Sequence, residues 1–187
     1  MLSVLIGAYA VAVVASNFDL VADDVAANRF PTPLGLRIHI VASGLALLVG
    51  PFQFNRALRR RAPRVHRTMG RIYVAAVMVG GLAGGSIALF SDSGLIAGFG
   101  FFALAIAWLS CTVRAYLAVR ARDYISHQRW MTRSFALTFA AVTLRIYIPL
   151  ALAAGVGFAD SYPAIAWLCW VPNLVVAQFL VRSARGV

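Results

Sequence analysis

His66 and His127 stand at matching places in two short arginine-rich strings. The first runs Arg64-Val65-His66-Arg67-Thr68-Met69-Gly70-Arg71, the second Ser126-His127-Gln128-Arg129-Trp130-Met131-Thr132-Arg133. Each sets Arg one or two residues after the His, Met soon after, and a further Arg at the next turn, before a long apolar run. The match suggests a parallel duplication of two helix hairpins. If both strings open helices leaving the same membrane face, the two imidazoles lie at similar depth. That geometry suits one b-type haem, with His66 and His127 on the iron and Arg67 and Arg129 receiving the propionates. A plainer role competes with it: interfacial His and Arg hold the phosphates of membrane lipids and anchor helix ends.

A second polar cluster is expected in the other half of the membrane. His39 lies ~7–8 Å along the second apolar segment, and Arg145 ~21 Å along the fifth, which runs the opposite way. A charged Arg facing lipid at that depth costs at least ~2.5 kcal/mol, so Arg145 should face the bundle interior or water. Ser134, Thr138, Ala141 and Arg145 recur at helical spacing and mark the inward face. His39 and Ser43 share a face of their own helix. Arg145, His39, Ser43 and Thr138 together could grip a quinone carbonyl or a small anion. The structural alternative is a bond from Arg145 to backbone carbonyls freed by Pro149.

The elements that must position these groups follow from composition. Of 187 residues, 61% are hydrophobic and 12% charged, against about 45–50% and about 25% in soluble domains. A globule of this size cannot hide that apolar surface. The expectation is an all-α, polytopic transmembrane helical bundle forming a single domain, 1–187. Six apolar segments, near 1–16, 34–55, 68–90, 94–117, 131–157 and 162–181, are each long enough to cross or nearly cross ~30 Å of hydrocarbon. The first is short and could pass for a signal peptide. It has no basic residue before its apolar stretch, so a retained span is expected.

All 17 basic residues are Arg and all 6 acidic ones Asp. Seven Arg lie between Arg56 and Arg71, five between Arg114 and Arg133, and Arg182 and Arg185 follow the last segment. Asp19, Asp23, Asp24, Asp92 and Asp160 fall on the other side, opposed there by Arg29 and Arg37. By the positive-inside rule both termini are cytoplasmic. The same rule accounts for the net charge of +11 without nucleic acid. Gly80, Gly81, Gly84 and Gly85 form overlapping small-xxx-small patterns, expected to pack helices closely within one bundle. Pro149 and Pro172 are expected to kink the last two spans.

Enzyme signatures are absent: there is no Glu, Gly-x-Ser-x-Gly, Walker loop or His-Glu-x-x-His. Cys111 and Cys169 lack metal or disulfide spacing, and His39 is on the wrong side to complete a three-His metal site.

The string Gly50-Pro51-Phe52-Gln53-Phe54, the turn His66-Arg67-Thr68-Met69-Gly70-Arg71 and the stretch from His127 to Arg145 resemble a bacterial family of multi-span membrane proteins defined as a domain of unknown function. The resemblance covers about residues 35 to 150. It implies a multi-pass protein of the bacterial cytoplasmic (inner) membrane and no particular activity. More loosely, His at matched depths on alternate helices is similar to transmembrane b-type cytochromes, which use four His. Three His allow at most one haem. Two functions follow as expectations: a small redox protein with one haem on the cytoplasmic side and a quinone on the other, or an anion or small-molecule transporter or accessory subunit of a membrane complex.

Overall fold

In hydrocarbon a backbone N–H or C=O has no water to bond, so an apolar run is held as a helix that satisfies its own backbone. The computed structural model describes residues 2–15, 33–90 and 94–183, and among these every regular element is helical. In chain order they are α1 (Leu2–Ala15), α2 (Pro33–Val49), a 3-10 turn (Gly50–Phe54), α3 (Arg56–Arg61), α4 (Pro63–Leu89), α5 (Leu95–Arg120), α6 (Tyr124–Thr138), α7 (Ala140–Ala153), α8 (Phe158–Leu168) and α9 (Val171–Ser183).

Five helical stretches are long and apolar enough to cross a membrane: Leu34–Phe54, Pro63–Leu89, Leu95–Arg120, Tyr124–Ala153 and Phe158–Ser183. The first of the six expected segments forms α1, whose 14 described residues reach ~21 Å; it is not among the five and packs on α2. Among the residues used for orientation, Asp19, Asp23, Asp24, Arg29, Asp92 and Arg185 lie outside the described residues. Helices α4 and α6 begin several residues before their apolar runs, taking in Arg64, Arg67 and Arg129. Long Arg stems lie along apolar surface while their heads reach water, so a helix can start in the headgroup layer.

Helix α4 packs against α2 on one side and α5 on the other, and α5 also contacts α6 and α8. The paired glycines divide this work. A Cβ on Gly80 would lie 3.3 Å from the Cβ of Ala42 on α2, and one on Gly81 would lie 2.7 Å from Cδ2 of Leu109 on α5. Both faces are therefore used inside the bundle, as the small-residue spacing predicts. Leu82, Ile96, Phe99, Phe179 and Leu180 point outward and stay exposed, the arrangement lipid requires.

Two spans are broken. The last breaks at Cys169–Trp170, a turn before Pro172, whose missing N–H cannot continue the ladder. The polar side chains of Thr143 and Asn173 bond the Cys169 carbonyl there, the latter at 2.9 Å. The other break falls at Phe139, and α7 runs on through Pro149, so the interruption of that span lies ten residues before the proline expected to cause it.

Candidate functional site

The arginine-rich end is assembled around the turn after α2. Gly50 lies so close beneath Phe135 of α6 that a Cβ would come within 2.5 Å of its Cε2. Phe54 packs on the same ring at 5.3 Å between centroids. Asn55 then caps α3, accepting the Leu58 amide at 3.1 Å. These contacts hold the buried side chain of Gln53 against α4, where a Cβ on Gly70 would lie 3.2 Å from Gln53 Oε1.

His66 stands in the first turn of α4, half-buried, with its Nδ1 fully covered and without a hydrogen-bond partner. His127 is placed differently. Its Nδ1 lies 2.8 Å from the carbonyl of Ala115 on α5. A carbonyl only accepts, so Nδ1 carries the proton, and in the neutral ring Nε2 holds the free lone pair. His66 lies within electrostatic reach of Arg59 and of His127. The first turn of α6 is fixed by Asp123, whose Oδ1 accepts the Ser126 amide at 2.9 Å. That bond holds the Asp123 carboxyl below its ordinary value.

Arg67 is exposed at this end and Arg129 is half-buried. Arg133, one turn after Arg129, directs Nε and Nη2 at Gln178 Oε1 (3.0 and 2.7 Å), tying α6 to α9. Its guanidinium lies 4.6 Å from the Trp130 ring, and that of Arg114 lies 4.8 Å from the same ring.

Deeper in the bundle, α4, α5 and α6 meet through a buried hydroxyl network. Tyr73 Oη lies 2.9 Å from Ser134 Oγ and 2.7 Å from Thr138 Oγ1. Trp108 Nε1 donates to Thr138 Oγ1 at 2.9 Å, and Thr112 Oγ1 lies 2.7 Å from Ser134 Oγ. Thr112 and Thr138 also donate to the carbonyls of Trp108 and Ser134, at 2.8 and 3.0 Å. Four hydroxyls and one indole supply five protons for these six contacts, so no donor is left over for a ligand. The network is a saturated polar clasp between three spans.

The third cluster lies at the other end. His39 Nδ1 donates to the Gly80 carbonyl at 2.8 Å, and Ser43 Oγ donates to the His39 carbonyl. Arg145 lies within electrostatic reach of His39, and Tyr9 of α1 stands on the same side of the bundle. Arg145 is exposed, and its Nη1 donates to the Ala141 carbonyl at 2.9 Å, a turn back on its own helix. The acceptor is therefore Ala141, whereas Pro149 would free the carbonyl of Arg145 itself.

Of the residues singled out in the sequence, the fold bonds Ser43 to His39 and brings His66 and His127, and His39 and Arg145, within electrostatic reach of each other. It sets Thr138 apart from Arg145. Ser134 and Thr138 are buried in the clasp while Arg145 is exposed, so Arg145 does not take the inward place that its spacing suggested. Sequence reasoning passed over Tyr73, Trp108, Thr112 and Gln53. The signal for the clasp was present: Trp108 and Thr112 stand four apart on one span, as Ser134 and Thr138 do on another. Among the described residues no three of His, Cys, Asp or Glu converge as a metal site; the pair of imidazoles is the donor set at hand.

Residues 36–181 match the DUF2306 family, described as predicted membrane proteins. The chain belongs to that family. No curated protein and no solved structure matches it.

Proposed function

We propose that this member of the DUF2306 family is a small redox protein of the bacterial cytoplasmic membrane, holding one b-type haem between His66 and His127 at its arginine-rich, cytoplasmic end. The observation that carries the proposal is the state of the two rings. His66 Nδ1 is buried with no partner, which disfavours a purely structural role, since buried polar atoms are nearly always satisfied. His127 has its Nδ1–H tied to a backbone carbonyl, the arrangement by which metal-ligating His residues fix ring orientation and present the other nitrogen. When bound, the haem would supply one-electron ferric–ferrous chemistry. The chain's own part is to hold the rings and to place Arg67 and Arg129 for the propionates.

At the opposite end, His39 with its Nδ1 engaged keeps Nε2 as an acceptor and Arg145 offers donors, a combination suited to a quinol hydroxyl and a quinone carbonyl. The same pair could hold a small anion in a transporter or accessory subunit. That use draws less support, because Arg145 Nη1 already bonds Ala141 and His39 Nδ1 already bonds Gly80.

Protein expressed with ample haem supply and purified in detergent should show a Soret band that shifts on reduction with dithionite. His66→Ala and His127→Ala should each abolish it, and His39→Ala should leave most of it. Arg67→Ala or Arg129→Ala should weaken binding by about 10-fold, as outer partners of a metal group do. A colourless wild-type protein, or pigment retained in both His66→Ala and His127→Ala, would end the redox proposal and return the function to Arg145 and His39.

A further inference from the structure

The arginine-rich end holds a second buried polar atom without a partner. Gln53 is only 8% exposed, and its Nε2, like His66 Nδ1, bonds nothing. The two lie along one face of α4: Gly70, which Gln53 Oε1 approaches, follows His66 by four residues, the spacing of neighbours on a helix surface. The amide is carried on a turn held from two sides. Its turn is fixed by Gly50 beneath Phe135 and by Phe54 on the same ring. A buried amide donor with no acceptor is a standing penalty on folding, and the fold keeps it against Gly70, one helical turn from the imidazole that shares the condition.

We propose that Gln53 is the third group of the His66–His127 site and that its Nε2–H donates to a carboxylate on the edge of the ligand; on the haem reading above, on which this rests, that carboxylate is a propionate. The charge environment selects an acid. Arg59 acts on His66, Arg67 and Arg71 flank Gly70 on α4, and the described acidic residue at this end, Asp123, is exposed and engaged with Ser126. A neutral donor among guanidinium groups adds direction to an attraction that the arginines supply without it. Gly70 contributes by omission, since a side chain there would enter the space between Gln53 and the turn above His66.

The test separates a ligand-binding amide from a structural one. Gln53→Met removes the orphaned donor at similar volume, so the haem-free protein in detergent should melt at or above the wild-type temperature. The same variant should bind haem about 10-fold more weakly in a titration followed at the Soret band. Gln53→Glu, which replaces the donor by a carboxylate, should bind more weakly still, with its own melt reporting that it is folded. Wild-type haem affinity in Gln53→Met would overturn the role of Gln53 and leave the two-histidine site standing. A haem-free Gln53→Met protein melting well below wild type would also overturn it, by showing that the amide holds the fold. A wild-type protein that takes up no haem overturns both proposals together.

Discussion

Gly84→Ala and Gly85→Ala add the same methyl group to adjacent positions of α4 and should have opposite effects. A Cβ on Gly84 would stand 2.6 Å from Nδ1 of His39 and 2.7 Å from its Cε1. The ring cannot simply slide, because Nδ1 is bonded to the Gly80 carbonyl. Making room means breaking that bond, about 0.5–1.5 kcal/mol net, and repacking α2 against α4, about 1–3 kcal/mol. Ala returns about 0.5–1 kcal/mol over Gly inside a helix, so Gly84→Ala should destabilise by roughly 1–3 kcal/mol. At Gly85 the new Cβ would meet Ala105 Cβ at 3.4 Å and Phe102 at 3.9 Å, ordinary contacts, so the helix gain of about 0.5–1 kcal/mol stands alone. The two variants should therefore differ by about 1.5–4 kcal/mol, or roughly 3–16 °C in melting temperature at about 2–4 °C per kcal/mol. Tryptophan fluorescence during a thermal ramp in detergent measures it. Equal melting temperatures would show that His39 does not lie against Gly84, and the account of the α2–α4 contact would have to be abandoned.

Other perturbations test the rest of the structure. Tyr73→Phe removes the hydroxyl that joins Ser134 to Thr138 and should cost about 1–3 kcal/mol in detergent unfolding, the usual result of leaving buried hydroxyls short of a partner; an unchanged midpoint would mean that water serves the site. Asp123→Ala should flatten the acid limb of the stability profile. The carboxyl is held below its ordinary value, so its contribution is present above the unfolded value and lost as pH falls through the folded one. Identical acid limbs for wild type and variant would remove the cap from the argument. Reporter fusions after Arg61, after Arg122 and at Val187 should report cytoplasm, and one at Asp92 the outside; a cytoplasmic signal at Asp92 would invert the depth assignments.

Much of the architecture was legible because hydrocarbon imposes so few solutions. Long apolar runs must be helices, arginines collect at their ends, and glycines four apart mark close approach. The site was harder to foresee wherever helices bend. Ser134 and Thr138 are buried and Arg145 is exposed although their spacing set them on one face, and the interruption between them at Phe139 lies at no proline or glycine. The clasp of Tyr73, Trp108, Thr112, Ser134 and Thr138 escaped for another reason. Its members come from three spans, and periodicity along one helix is silent about what faces it from another. Gln53 was within a string that carried the family resemblance, yet nothing local distinguishes a buried glutamine with a partner from one without.

The three histidines show how the surroundings, and not the residue type, assign a role. His39 and His127 each donate from Nδ1 to a main-chain carbonyl of a neighbouring helix, Gly80 and Ala115, both at 2.8 Å. Those carbonyls face the rings across a helix contact, and at His39 the contact exists only because Gly84, one turn beyond Gly80, has no side chain. Both rings are thereby oriented, and in the neutral form both retain a lone pair on Nε2. At His39 the guanidinium of Arg145 lies within electrostatic reach, and its like charge repels a cation that would bind the ring. Within electrostatic reach of His127 is the ring of His66, whose covered Nδ1 has no hydrogen-bond partner. On the haem proposal the oriented imidazole of His127 and the ring of His66 would share an electrophile, whereas an oriented imidazole near a guanidinium would suit a hydrogen-bonding ligand. On that proposal the division of chemistry between the two ends of the bundle would follow from which side chain stands near each tethered ring.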